Sequence, residues 1–212
     1  MKQRVWIFTI PLLLLLLIAI VPQTLGSFHI ALLNDIGIAA LVVVGLILVS
    51  GIGGALSFGQ AAFVGIAAYT TAWLTTTQAF SPWSGLLLGL LITCGSAWLI
   101  GSITMRLGGH YLALSTIAWG LAVPLVFANT PALGSHTGID GIPPIQLGPW
   151  TLDESSTSFI LIWLIVMVGT WFAYNILRSR VGRTIRALRG GGVLMASFGS
   201  DAFRVRLMLF VL

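Results

Sequence analysis

Apolar residues run through this chain in stretches long enough to cross a bilayer, divided by short clusters of Gly, Pro, Ser and Thr. No Asp, Glu, Lys or Arg occurs between Asp35 and Arg106, and none between Arg106 and Asp140. A span needs about 20 apolar residues, so the first gap holds three and the second holds one. The pattern predicts helices over about 5–21, 36–49, 56–75, 84–105, 111–129 and 159–177. The breaks between them are the cluster Ser50-Gly51-Ile52-Gly53-Gly54, the polar stretch 75–82, the residues around Arg106, and a Gly- and Pro-rich loop over 130–158. That loop carries Asp140, Asp153 and Glu154, and a basic stretch follows the sixth span over 178–189.

Composition agrees with this reading. The 212 residues are 58% hydrophobic and 7% charged, against about 25% charged in an ordinary soluble domain, so a soluble enzyme is excluded. The basic start, the apolar core over 5–21 and the small residues Gly26 and Ser27 also resemble a signal peptide. No clear A-x-A site is present and Pro22 lies close by, which favours an uncleaved first span. With the N-terminus inside and alternating spans, every Lys and Arg falls on the cytoplasmic side, while Asp35 and the acidic loop fall outside. The net charge of +5 therefore reports orientation, and no nucleic-acid partner is expected. After Asp201 an apolar run from Leu207 stops at Leu212, too short to span, so a C-terminally truncated seventh helix is expected. The expected fold is an all-α polytopic membrane protein: six transmembrane spans plus a truncated seventh, N-terminus cytoplasmic. It forms a single transmembrane domain over 1–212, with an external loop at 130–158 and a cytoplasmic loop at 178–203.

Catalytic constellations are scarce. The chain has no H-E-x-x-H and no G-x-x-x-x-G-K-[ST], so it cannot hydrolyse ATP itself. His29, His110 and His136 fall in separate loops or at span ends, Cys94 is alone, and no metal site is expected. Small residues at four-residue spacing, Gly51, Ala55 and Gly59, then Ala61 and Gly65, then Gly85 and Gly89, let helix backbones approach in lipid. The segment 50–60 joins glycines to polar groups between two spans. It is either a tight cytoplasmic turn or a broken helix lining a path, since irregular backbone survives at membrane depth only when buried in protein or facing a cavity. His110 and Tyr111 open the fifth span as interface anchors, while Ser115 and Thr116, one turn in, either pack or face a polar path. Val181, Ile185 and Leu188 recur at helical spacing opposite Arg180, Arg183 and Arg186. That short amphipathic helix either lies on anionic membrane lipid or presents a surface to a cytoplasmic partner. Gly190-Gly191-Gly192 breaks it, and 193–198 can form a second short helix stopped by Gly199.

Four stretches resemble the permeases of branched-chain amino-acid ABC importers, of the LivM type. The run Gly53-Gly54-Ala55-Leu56-Ser57-Phe58-Gly59-Gln60-Ala61-Ala62-Phe63-Val64-Gly65-Ile66-Ala67-Ala68-Tyr69 resembles the family's G-x-L-S-x-G-x-x-x-F-x-G-x-G-A-Y segment. Arg106-Leu107-Gly108-Gly109-His110-Tyr111-Leu112-Ala113-Leu114 resembles R-x-x-G-x-Y-x-A-L. His136-Thr137-Gly138-Ile139-Asp140-Gly141-Ile142-Pro143 resembles the outer T-G-x-x-G-I-P loop, and Gly182-Arg183-Thr184-Ile185-Arg186-Ala187-Leu188-Arg189 resembles the G-R-x-x-x-A-x-R opening of the loop that meets the ATPase. The four occur in the family's order, and the likeness extends from about Asp35 to the end. Gly190-Gly191-Gly192 departs from it, standing where the family has an acidic or polar residue.

The resemblance implies an importer subunit for leucine, isoleucine or valine. Its partners would be a second homologous permease, two cytoplasmic ATPase subunits that carry ATP and Mg, and an external substrate-binding protein. This chain itself would hold no cofactor and would not be an enzyme. The substrate path would involve Ser57, Gln60, Tyr111, Ser115 and Thr116. The external loop would present Thr137, Gly138, Asp140 and Gly141, and coupling to the ATPase would use Arg183, Arg186, Arg189 and Gly199. Importers of urea or short amides share the pattern. An ion-coupled secondary transporter is the competing class, although no ionisable residue sits at mid-depth in these spans. The topology makes one direct prediction. A cysteine placed at Ser156 in a Cys94→Ala background reacts with an impermeant thiol reagent added outside intact cells; labelling only after lysis would overturn the six-span order.

Overall fold

The computed structural model describes residues 18, 20–107, 110–147, 150–151, 155–188 and 201–212. Residues 20–24 are helical, and after them α1 (Ser27–Leu46) continues into a π-helical turn, Ile47–Ile52. After an irregular segment at 53–59 come α2 (Gln60–Thr76), α3 (Pro82–Thr104) and α4 (His110–Ala128). A 3-10 turn (Pro131–Leu133) and a short ribbon, β1 (Gln146–Leu147) with β2 (Trp150–Thr151), precede α5 (Ser155–Arg178), α6 (Arg180–Leu188) and α7 (Ala202–Val211). Ser27–Ile52, Pro82–Thr104, His110–Ala128 and Ser155–Arg178 are long and apolar enough to cross a membrane. At 17 residues, α2 reaches about 26 Å at a rise of about 1.5 Å per residue. The protein is thus a helical membrane protein.

Several expected boundaries move. The second span begins at Ser27 rather than near 36, so Asp35 lies on the exposed side of α1 instead of in a loop. Asp35 follows Asn34 and precedes Ile36 within the helix, and its exposed position keeps the carboxylate off the packed face. The third span begins at Gln60 rather than Leu56, because the glycines at 53, 54 and 59 weaken helix there. The loop expected over 130–158 ends where α5 starts at Ser155, and it contains an antiparallel ribbon pairing Gln146 with Thr151. Apart from that two-residue ribbon the described elements are helical, in line with the all-α expectation. The seventh helix starts at Ala202, ahead of the apolar run at Leu207, because Asp201 caps it by accepting a hydrogen bond from the Phe203 amide at 2.9 Å. Most of the expected first span, Gly108 and Gly109, Asp153 and Glu154, and the whole of 189–200 lie outside the described residues.

The chain divides into two compact units. In the first, made of Met1–Val44 and Pro144–Asn175, Ile18, Ile30 and Phe159 form a buried cluster flanked by Val21, Leu33 and Trp163. Asn34 Nδ2 donates to the Ser155 carbonyl at 3.0 Å, Gly37 faces Ile162 and Trp163, and Gly169 faces Leu41. Partner positions rise together along both helices, so α1 and α5 pack parallel.

The second unit comprises Gly45–Pro143 and Ile176–Leu212. Here α2 and α3 form an antiparallel hairpin. Gly85 and Gly89 of α3 lie against Thr71, Thr75 and Ala67 of α2, and Thr71 Oγ1 donates across to the Gly85 carbonyl at 3.3 Å. Lipid offers no hydrophobic drive between helices, so close backbone approach through small residues supplies the adhesion. The start of α3 is set locally: Ser81 accepts from the Ser84 amide and Pro82 fills the first turn. Leu86, Leu87, Leu90 and Leu91, on the other face of α3, are exposed.

A Cβ at Gly89 would stand 2.6 Å from Thr71 Oγ1 and 3.1 Å from the Ala67 carbonyl. Gly89→Leu is therefore expected to force α2 and α3 apart at a cost of about 1–3 kcal/mol, read as a lowered melting temperature in detergent. Gly95→Leu, where no atom lies within 4 Å, leaves that temperature unchanged.

Candidate functional site

The site is built around the break between α1 and α2. Ser50 and the glycines at 51, 53 and 54 deprive the end of α1 of strong helix formers, and a serine hydroxyl competes for backbone groups. The helix widens to a π turn, in which the Gly53 amide donates to the Leu48 carbonyl at 3.0 Å and the Ala55 amide to the Val49 carbonyl at 3.1 Å. π turns inside α-helices are frequent at functional sites. Beyond Gly53 the chain is irregular, with Gly54 at a left-handed φ of 69°, and burial alternates: Gly53, Ala55, Ser57 and Gly59 are buried, while Gly54, Leu56 and Phe58 are exposed.

Side chains then satisfy the backbone that no helix serves. Ser50 Oγ donates to the Ala55 carbonyl at 3.1 Å and accepts from the Ser57 amide at 3.2 Å. Across the helix interface, Thr116 Oγ1 of α4 accepts from the Phe58 amide at 3.1 Å and donates to its own Ala113 carbonyl at 2.9 Å. This approach depends on glycine: a Cβ at Gly59 would meet the Thr116 carbonyl at 2.8 Å. Higher up, Phe127 of α4 stacks on Tyr69 of α2, with ring centroids 4.4 Å apart. The break is thus pinned to α4 along a shared, parallel course.

The expected path residues divide on this geometry. Ser57 and Thr116, 2% and 1% exposed, come together at the α4 contact. Ser57 Oγ is buried and, among the described residues, has no hydrogen-bond partner. Gln60 opens α2 and is half-buried. Ser115 is half-buried, with its hydroxyl on the Leu112 carbonyl. Tyr111 is 72% exposed and sits on a different face of α4 from Thr116. Ser50 is the residue that sequence reasoning passed over, treated there as one member of a glycine cluster. Its signal was the spacing to Ser57, a hydroxyl on each side of the glycines.

The expected external-loop residues form a tight surface turn. Thr137 donates through both its amide and its hydroxyl to the Gly134 carbonyl, at 3.2 and 2.7 Å. Gly138 and Gly141 take left-handed φ of 79° and 73°, and Asp140 is exposed.

At the opposite chemical extreme is the basic corner between α5 and α6. Ser179 Oγ donates to the Ile176 carbonyl at 2.6 Å, and the chain turns so sharply that a Cβ at Gly182 would collide with the Leu177 carbonyl. Gly182, Ile185 and Leu188 are buried, with Arg180, Arg183 and Arg186 on the exposed face. The amphipathic helix is present as expected. Arg186 also does something the sequence did not suggest, because its guanidinium donates to the Leu177 carbonyl at 2.8 Å and caps the end of α5. Arg189 and Gly199 lie outside the described residues.

The Thr116 contact yields a test. Thr116→Val leaves the Phe58 amide without its acceptor, at a cost of about 1–3 kcal/mol, and amide hydrogen exchange at Phe58 speeds up. Thr116→Ser, which keeps the hydroxyl, preserves the slow exchange.

The family described as the permease component of branched-chain amino acid transport systems matches residues 28–212. One relative is the high-affinity branched-chain amino acid transport system permease protein LivM of Salmonella typhimurium, 29% identical over 88% of this chain and 49% of its own length. The protein of the same name in Escherichia coli is 28% identical over 79% of this chain and 45% of its own length. The chain thus spans about half the length of these curated relatives. No solved structure matches it. The matched residues take in α1 to α7, the break and the basic corner, and the chain belongs to the family of branched-chain amino acid transport system permease components.

Proposed function

We propose that this chain is the membrane-spanning permease subunit of an ATP-driven importer of leucine, isoleucine and valine in a bacterial inner membrane. The observation that carries the reading is the presence, in one compact unit, of a broken helix pinned to α4 and a basic amphipathic helix set on a tight corner. The first suits a translocation path and the second suits a contact with an ATPase. Family membership supplies the class of substrate.

The topology proposed is six spans with the N-terminus cytoplasmic, and a seventh beginning at α7. Parallel packing of α1 with α5 supports it, since an odd number of crossings must then separate them, and α2, α3 and α4 intervene. In this arrangement 178–203 is the cytoplasmic coupling loop and 130–158 faces outward. A second homologous permease completes the path, two ATPase subunits with ATP and Mg supply the work, and an external binding protein delivers the amino acid. Ligand and ATP act by favouring different global states of the path.

Within the coupling helix, the three arginines have unequal duties. Arg186 is engaged on the Leu177 carbonyl, and Arg180 and Arg183 are exposed beside it. The latter two meet the ATPase. When the tagged protein is extracted from its native membrane, ATPase subunits and a second permease are expected to co-purify. The Arg180→Glu/Arg183→Glu variant inserts normally and loses the ATPases. Unchanged co-purification in that variant would remove α6 from the docking surface, and a wild-type chain that moves solute without ATP would overturn the importer.

A further inference from the structure

Among the described elements, α7 packs against both the coupling helix α6 and the π turn at the break, which makes it the intermediary for a movement of α6. α6 packs against α7, with Ile185 and Leu188 buried. α7 in turn meets three other elements. Its Phe203 ring lies under the Arg106 guanidinium, 5.5 Å away, just past the end of α3. Leu207 and Phe210 close on Gly101 of α3, and the Phe210 ring meets Phe63 of α2 edge-on at 5.4 Å. The third contact is different in kind. Leu209, 3% exposed, seats directly on Gly53, where a Cβ would collide with Leu209 Cδ2 and stand 2.7 Å from the Val49 carbonyl.

Gly53 is where the π turn ends and the irregular 53–59 segment begins. The contacts on α2 and α3 press on regular helices whose backbone bonds are complete. The contact on Gly53 presses on the end of the π turn, where the chain leaves regular helix and is held through 55–58 in part by neutral hydroxyl hydrogen bonds, each of small net strength. A push through α7 is therefore absorbed at the break before it deforms a helix.

We propose that Leu209 is the positioning residue that carries displacement of α6 and α7 to the break, where it moves 53–59 along α4 and so alters the path at Ser57. This rests on the importer reading above. Leu209 touches neither substrate nor ATPase; it acts through Gly53. Packed contacts of this kind hold discrete arrangements, which lets a small shift at one end select a state at the other. Glycine at 53 admits the leucine, and Leu207, two residues earlier, reaches only α3 among the glycine contacts described.

The test uses the assembled importer in proteoliposomes, reading amino-acid uptake and ATP hydrolysis together. In Leu209→Ala the ATPase subunits stay bound and basal hydrolysis persists, while uptake per ATP falls on the order of tenfold. Leu209→Met restores the ratio, and Leu207→Ala, which loosens α7 on α3, leaves it near wild type. An unchanged ratio in Leu209→Ala, or an equal loss in Leu207→Ala, would overturn the proposal. Should Leu209→Ala fail to assemble, Leu209→Val decides, a lowered ratio supporting the link and a normal one refuting it. A wild-type assembly whose uptake ignores ATP would defeat the importer reading itself, independently of any Leu209 variant.

Discussion

In a membrane no water rescues an unpaired backbone group, and each one left bare costs several kcal/mol. The segment at 53–59 violates the usual remedy, because it abandons the helix inside an apolar stretch. The π turn still serves the Gly53 and Ala55 amides, and two side chains serve groups beyond its reach, Ser50 from the segment's own helix and Thr116 from α4. That substitution fixes much else. Thr116 can reach the Phe58 amide only if Gly59 lets the two backbones close up, and the close approach sets α2 alongside α4. α2 can then offer its other face to α3, where Gly85 and Gly89 receive the threonines.

The same constraint explains where the small residues fall. Gly59, Gly85, Gly89 and Gly101 sit at helix crossings, each meeting a carbonyl, a threonine or an aromatic ring. Contact at these points is van der Waals packing, which weakens quickly with separation. Large apolar side chains such as Leu87, Leu90, Leu121 and Leu125 are left exposed on the outer faces, as suits a surface solvated by lipid. Large residues such as Met105, Ile185 and Leu209 are buried in this unit too, so small residues at the crossings join an apolar interior while other large apolar side chains face outward.

Much of this was legible before any coordinates. Charge-free stretches located α3, α4 and α5 to within a few residues, because hydropathy over a span sums many weak preferences in one direction. The Arg stripe against Ile185 and Leu188 gave α6 for the same reason. Where one residue decides the outcome, the sequence was a poorer guide. Charge places Asp35 ahead of a span from 36, yet the helix runs through it from Ser27. Hydropathy alone starts a helix near Leu56, while the glycines on either side keep the chain irregular through Gly59. Of the path residues that the resemblance implies, Thr116 binds the amide next to Ser57, a tertiary hydrogen bond that no local spacing announces. Tyr111, implied with them, lies on a different face of α4. The cap made by Arg186 is a contact between two elements that no spacing rule anticipates.

The distribution of charge bears on how such a structure could be driven. Ion-coupled transporters commonly carry ionisable groups at membrane depth, where protonation or ion binding changes the local energy. Here the break and its α4 contact hold only neutral hydroxyls and amides. A proton or cation has little to act on there, which suits the proposed reading of a mechanical input entering where the basic residues are. Those residues gather at α6 and the start of α7, with Arg106 stacked over Phe203. The hydroxyl bonds at the break are also the right strength for such an input. Each contributes about 0.5–1.5 kcal/mol net, enough together to hold one arrangement and few enough to exchange for another. A continuous helix through 53–59 would close that segment's own backbone bonds and give up this choice. On the proposed function, the broken helix is thus the part of the unit that can change state without unfolding its neighbours.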